Sequence, residues 1–300
     1  MTLRIDYGEH VQAARQASTP LVALESTVIT HGLPYPQNRN TALAMEEAVR
    51  EGGAVPATIA VLNGRITVGL SHEQIDMLAQ ADEVRKCSRR DFPIVIGLGE
   101  HGATTVAGTM IIAQMVGIDV FATGGIGGVH RGQPFDVSAD LQELGRTRVT
   151  VVCSGAKSIL DLPLTLEVLE TNGVPIIGYQ TDTLPSFYSR QSGLAIDARV
   201  DAIRDIAQIV RATHALDAQH GVLVAVPVPA EAELAQDLAE QAIERATAEA
   251  TARGIKGKDV TPFVLERVVE LTDGQAMVAN RALLINNAQV AAQIACELRA

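Results

Sequence analysis

The sequence predicts an α/β fold: a mostly parallel central sheet with helices on both faces (α/β/α), followed by a helical C-terminal segment. Three observations predict it. Apolar, β-branched runs alternate with helical patterns almost throughout, which implies strand–helix–strand units and parallel pairing. The 300 residues are 47% hydrophobic and 20% charged, a balance that supports a sizeable core and argues against general disorder. From residue 230 onward the strand signal stops and Ala/Glu-rich helical patterns take over.

In chain order, strands are expected at Leu21–Ser26, Ala57–Leu62, Ile66–Leu70, Pro93–Gly97, Asp119–Thr123, Val149–Cys153, Pro175–Tyr179 and Val222–Val228. Each is a short apolar run bounded by turn residues. Asn63-Gly64 between the second and third predicts a hairpin, hence one antiparallel excursion. Helices are expected at Asn40–Gly52, Ser71–Gln80, Thr104–Val116, Ala139–Gly145, Ile159–Asn172 and Ala198–Leu216. Further helices follow over Ala230–Arg253, Thr261–Leu271 and Gln275–Leu298, with a break at Gly254. The last is apolar on most faces around Asn280, Asn286 and Asn287, as in a helix buried against its own domain or a neighbouring subunit. With no repeat or low-complexity linker, residues 1–300 read as a single domain, with 230–300 as its helical extension.

A net charge of −11 argues against non-specific nucleic-acid or anionic-membrane binding, which needs a basic face. Three scattered cysteines, Cys87, Cys153 and Cys296, without CxxC spacing fit a reducing cytoplasm better than a disulfide framework or zinc cluster. The first residues lack a signal-peptide layout, and no apolar run reaches membrane-spanning length. A soluble cytoplasmic protein is expected.

The most informative stretch is Phe121–Asp161. It carries a glycine cluster (Gly124, Gly125, Gly127, Gly128), two aspartates (Asp136, Asp140) and a lysine, Lys157, between Gly155 and Ser158. Glycines let backbone approach a ligand closely. Carboxylates and a lysine beside them suggest an anionic substrate with a metal.

Lysine usage sharpens this. The chain has four lysines against twenty arginines. Lys256 and Lys258 lie in a glycine-punctuated loop and read as solvated, while Lys86 and Lys157 lie near strand boundaries. Lysine can lose its proton and form an imine, which arginine cannot. Glu25 ends the first strand, on the side where parallel sheets bind ligands. A carboxylate there is suited to proton donation or, equally, to pairing with an arginine. Asp136 suits a hard cation that keeps most of its waters. Ser138 is placed to cap the helix that Asp140 begins. The helix start at Thr104-Thr105-Val106 offers N–H groups to a phosphate or an adjacent ring.

Three patterns are rejected. Gly97-Leu-Gly-Glu-His-Gly102 fits GxGxxG, but follows the fourth expected strand and lacks an acid at the end of the next. Gly155-Ala-Lys-Ser158 has Val151 and Ala156 where a phosphate loop needs glycine. His31, His101 and His130 lack zinc-site spacing.

LESTVITHGLPYP, GGIGGVHRG, FDVSADL and CSGAKSILDLPLTLE resemble pseudouridine-5'-phosphate glycosidase from about residue 20 to the C-terminus. The resemblance implies cleavage of a carbon–carbon glycosidic bond to give uracil and ribose 5-phosphate. It implies Lys157 as nucleophile, Glu25 as proton donor, Lys86, Val106, Ser138, Ala139 and Asp140 at the substrate, and Asp136 on one Mn²⁺. Thr123, His130 and Asn280 are candidates for reading the base, and trimers are implied. The alternatives are another imine-forming sugar-phosphate lyase or aldolase, or a non-catalytic sugar-phosphate-binding regulator.

Overall fold

The computed structural model describes residues 3–255 and 260–300. The chain opens with β1 (Ile5–Tyr7), α1 (Glu9–Gln16), β2 (Leu21–Leu24), α2 (Thr27–His31) and α3 (Gln37–Glu51). β3 (Val55–Leu62) and β4 (Arg65–Val68) form the expected hairpin. Its turn holds Asn63 at φ 49° and Gly64 at φ 71°, the left-handed pair that Asn-Gly supplies at low cost. α4 (His72–Gln80) starts on a capping box made by Ser71 and Gln74. Next come β5 (Arg85–Cys87), α5 (Phe92–Leu98), β6 (Gly102–Thr104) and α6 (Val106–Val116). β7 (Val120–Ala122), β8 (Val129–His130), β9 (Gln133–Val137), α7 (Ala139–Leu144) and β10 (Thr150–Cys153) make the central stretch. β11 (Leu160–Asp161), α8 (Leu162–Thr171), β12 (Ile176–Tyr179), β13 (Ala198–Val200), α9 (Ile203–Ala215) and β14 (Val222–Ala225) follow. α10 (Gln236–Ala252), α11 (Val260–Leu271) and α12 (Gln275–Arg299) end the chain.

The main sheet runs β1-β4-β3-β2-β7-β10-β14-β12-β13, with β6 beside β3 and β5 beside β6. Its central pairs, from β3–β2 through β14–β12, are parallel. β3 changes partners along its length: Val55–Thr58 run parallel to β2, while Ile59–Leu62 pair antiparallel with β4. From β2 the chain turns to β3 on one side, and later returns to lay β7 on the other. The β2/β7 boundary is therefore a switch point, where α/β sheets open a crevice at the strands' carboxyl ends. Separately, β8 pairs antiparallel with both β9 and β11.

α12 packs against α3, α9, β2, β7 and β10. Ala276, Ala279, Leu283, Leu284, Ala291 and Ile294 are among its buried residues. The apolar character of these positions serves its own chain, while Val278 on another face is 61% exposed. No described helix is long and apolar enough to cross a membrane.

Several expectations need correction. Pro93–Gly97 lies in α5 and not in a strand. Its β-branched residues suggested a strand, but Pro93 sits in the first turn, where a missing N–H costs nothing. Only one face of α5 is buried, with Val95 enclosed and Leu98 68% exposed. The GxGxxG pattern consequently starts in the last turn of α5 and ends at the start of β6, the reverse of a dinucleotide turn. The helix expected from Thr104 starts at Val106, because Thr104 ends β6. The one expected from Ala198 begins as β13. β1, α1, α2, β5, β6, β8, β9, β11 and β13 escaped the sequence reading. Lys256 and Lys258 lie outside the described residues.

Candidate active site

Leu24 pairs with Ala122, and Ala122 with Val152. Extending that register by one residue brings Glu25 abreast of Thr123 at the switch point. Glu25 is 6% exposed. Its Oε1 accepts a hydrogen bond from the Thr123 hydroxyl and its Oε2 one from the Thr27 hydroxyl. Of the two readings of Glu25, the partners found are threonines and not an arginine.

Beyond the strands, the loops after β7 and β10 continue as a main-chain ladder. Ser154 N donates to Gly124 O at 2.8 Å, Ile126 N to Gly155 O at 3.1 Å, and Lys157 N to Ile126 O at 3.1 Å. Gly155 makes this possible. Its φ is +77°, and a Cβ there would lie 2.2 Å from Pro185 O. Arg131 braces the far side, donating to Ser158 O at 2.8 Å and Leu160 O at 3.1 Å. The main chain at Lys157 is therefore held from both directions.

The glycine cluster differs from its expected use. A Cβ at Gly125 would lie 2.7 Å from the Phe187 ring, one at Gly127 2.3 Å from Ser138 Oγ, and one at Gly128 2.3 Å from Thr165 Oγ1. These glycines line the cleft, but the space their missing side chains leave is filled by the protein itself. At Gly127 the close approach lets Asp140 Oδ2 accept the Gly127 N–H at 2.8 Å, while its Oδ1 accepts from Ala107 N at 2.9 Å. Asp140 thus ties the glycine loop to the start of α6, where a carboxylate also meets the helix dipole favourably. Ser138 caps α7 as expected. At the start of α6, Gly108 N donates to the capping Thr105 hydroxyl and Ala107 N to Asp140. Among the described residues, Val106 N–H is left without a partner in the first three positions.

These elements enclose two adjoining pockets. The inner, of about 60 Å³, is lined by Glu25, Thr27, Lys86, Thr123, Lys157 and Asn280, with His31, Phe187, Pro262, Leu265 and Leu284 among its other walls. The outer cleft, of about 860 Å³, is again lined by Glu25, Thr27, Lys86 and Lys157, together with Val106, His130, Asp136, Ser138, Ala139 and Asp140. All eleven expected site residues therefore meet at one place. Glu25, Lys86 and Lys157 stand where the pockets join.

The outer cleft also gathers Arg85, Arg89, Arg90 and Arg146, so six cationic side chains face four carboxylates in a chain of net charge −11. Behind it lies Glu143, fully buried and held by Arg89 at 2.7 and 2.8 Å, Arg146, and Thr147 at 2.8 Å. Burial alone disfavours its ionised form. Hydrogen bonds from Arg89, Arg146 and Thr147 outweigh that and hold its carboxyl at about 2. The sequence reading missed Glu143, as it missed Thr27, Arg131 and Asn287. Thr27 and Arg131 stand inside the motifs LESTVITHGLPYP and GGIGGVHRG, but residue type alone gave them no role; the contacts of Glu143 with Arg89 and of Asn287 with Thr123 join residues 54 and 164 positions apart.

The outer wall is the β8–β9 hairpin. Asp136 Oδ2 lies 3.8 Å from His130 Nδ1, and the Asp136 side chain is 47% exposed. No group of three or more His, Cys, Asp or Glu among the described residues could hold a metal together. One exposed carboxylate in a roomy cleft does fit a hard cation whose other ligands are waters or substrate oxygens.

Residues 10–297 match the family model described as indigoidine synthase A like protein. A relative from Geobacillus kaustophilus, named pseudouridine-5'-phosphate glycosidase, is 55% identical over 97% of this chain and 98% of its own length. One of the same name from Herpetosiphon aurantiacus is 57% identical over 96% of each chain. Among solved structures, the prealnumycin C-glycosynthase AlnA in complex with ribulose 5-phosphate superposes with a TM-score of 0.90 at 37% identity, covering 99% of this chain and 98% of its own. An indigoidine synthase A-like protein of Thermotoga maritima gives 0.90 at 35% identity, covering 99% and 97%. The chain belongs to the indigoidine synthase A-like family and groups within it with proteins named pseudouridine-5'-phosphate glycosidase.

Proposed function

We propose that the protein catalyses reversible cleavage of pseudouridine 5'-phosphate to uracil and ribose 5-phosphate. The observation that carries this is the meeting of Glu25, Lys86 and Lys157 where a small inner pocket opens into a cationic cleft. The inner pocket accepts a base, and the outer cleft a sugar phosphate.

The bond to be broken joins ribose C1' to uracil C5. A pair of carboxylates, as in ordinary glycosidases, expels an oxygen leaving group; carbon is a far poorer one. Lys157 instead attacks C1' as a neutral amine. The C1'–O4' bond breaks, and Glu25 delivers a proton to O4' as the ring opens. The resulting secondary ammonium returns a proton to the Glu25 carboxylate. The freed nitrogen lone pair then forms C1'=N while Glu25 delivers that proton to uracil C5 and the C1'–C5 electrons leave with the base. Water hydrolyses the imine, releasing ribose 5-phosphate and free Lys157. Every step is reversible, so concentrations set the direction.

Lys86, Val106 N–H and the Ser138–Ala139–Asp140 turn hold the phosphate. Asp140 contributes through position, since its carboxylate oxygens are already taken by Ala107 and Gly127. Thr123 and Asn280 border the base, and an amide such as Asn280 offers both donor and acceptor to an imide edge. His130, expected at the base, lines only the outer cleft beside Asp136. Asp136 is the residue that would hold Mn²⁺, which when bound supplies positive charge for phosphate oxygens. A cytoplasmic setting agrees with three cysteines carried as free thiols. A homotrimer is part of the reading, and Phe135, 99% exposed, is a surface such an assembly would cover.

The test is product analysis with pseudouridine 5'-phosphate, in Mn²⁺ and in chelator, with borohydride added in parallel. Release of uracil and ribose 5-phosphate, with a reduced adduct on Lys157, is expected. Folded protein that releases neither in either condition would refute the substrate assignment.

A further inference from the structure

We propose that the hydroxyls of Thr27 and Thr123 position the Glu25 carboxylate for proton transfer, one hydroxyl holding each oxygen. The inference rests on the reading of Glu25 as the proton donor.

Thr27 is the first residue of α2, two positions after Glu25, and its hydroxyl donates to Oε2. Thr123 stands on the neighbouring strand's extension, and its hydroxyl donates to Oε1. All three residues are at most 8% exposed, yet Glu25 and Thr27 line both pockets. Both threonines are themselves fixed. Thr123 N donates to Val152 O at 3.0 Å, and Thr123 O accepts from Asn287 Nδ2 at 2.9 Å. Thr27 follows Ser26, whose hydroxyl is tied to Ile59 O at 2.7 Å and Thr104 N at 2.8 Å. The clamp thus draws its rigidity from β3, β6, β10 and α12.

A carboxylate oxygen has two lone-pair sites. One hydroxyl on each oxygen leaves the other site open to a proton in the cleft. The group is therefore oriented without being saturated, as an acid–base group requires. A lysine or arginine in place of either hydroxyl would add a charge that opposes proton uptake. Thr123, expected from the sequence to read the base, acts here through Glu25.

The test compares Thr27→Val, which keeps the shape and removes the donor, with Thr27→Ser, which keeps the donor and removes the methyl. Turnover of pseudouridine 5'-phosphate is measured with kcat and KM separated. In Thr27→Val, kcat falls about ten- to a hundredfold, the range for losing a hydrogen bond to a charged group. KM changes little, because the loss is confined to the transition state. Thr27→Ser keeps most of the wild-type kcat. Wild-type kcat in Thr27→Val overturns the proposal, and so does an equal fall in both variants, which would assign the effect to packing. The matching pair at Thr123 gives the same contrast should valine at 27 prevent folding. Glu25→Gln separates the two levels: wild-type turnover there refutes the donor reading itself, whereas its loss alongside an unaffected Thr27→Val refutes only the clamp.

Discussion

At the inner end of the cleft, Gly124–Ile126 and Ser154–Lys157 exchange main-chain hydrogen bonds of 2.8–3.1 Å, continuing the sheet past its strands. At the outer end, the β8–β9 hairpin leaves Gln133, Pro134, Phe135 and Asp136 exposed, and His130 faces Asp136 only at 3.8 Å. Both regions carry residues assigned to the same reaction, on very different foundations. The inner end is pre-organised by the fold, which suits groups that must be correctly aimed when a bond breaks. The outer end can adapt to a phosphate, an ion or a neighbouring chain. In the proposed reaction, the covalent and proton chemistry falls where the backbone is fixed, and the cation-binding carboxylate Asp136 where the chain is exposed.

Substitutions at the two ends should therefore differ in kind. The largest effect is expected for Lys157→Arg, which keeps the charge and removes the capacity for an imine. Turnover falls about ten-thousandfold or more while the melting profile is retained; steady-state rates and thermal melting check both halves. Next is Gly155→Ala, which forces a Cβ against Pro185 O at positive φ. It lowers stability by about 2–4 kcal/mol and activity with it, read by denaturant titration.

Acid should act through the buried carboxylate behind the cleft. Glu143 titrates at about 2 in the folded protein against an ordinary value of 4.5. A depressed carboxyl contributes stability above its unfolded value and loses it as pH falls through the folded one. About 3 kcal/mol should therefore disappear between roughly pH 4.5 and 2. Denaturant titrations across that window, with Glu143→Gln lacking this component, check the assignment. The smallest effect on the fold belongs to the hairpin. Asp136→Asn should change stability by less than about 0.5 kcal/mol, while raising KM and abolishing any response to Mn²⁺. A large loss of stability there would erase the contrast between the two ends.

Much of the site could be read in advance. Glu25, Lys86 and Lys157 stood out by residue type, and the two aspartates by their nearness to the glycine cluster; all line the pockets found. The glycine cluster was visible, but its purpose was not. Gly125 and Gly127 are glycine because Phe187, Ser138 and Asp140 crowd them, and these neighbours are fixed by folding. β5, which carries Lys86, was missed because three residues hold too little periodicity; it is defined by pairing with β6. α5 was misread because its β-branched composition fits a strand, and only burial on one face reveals the helix.

The sequence by itself determined the alternating strand–helix order, the Asn63-Gly64 hairpin and the identities of the groups able to do chemistry. These follow from local propensity, turn chemistry and side-chain type. Tertiary structure decided which of them act together. The switch point between β2 and β7 brought Glu25 beside Thr123, residues 98 positions apart. The ladder of the β7 and β10 loops fixed the main chain at Lys157, and α12 returned from the end of the chain to anchor Thr123 through Asn287. Such contacts leave no periodic trace, because they arise from the path of the whole chain and not from any segment's own preference.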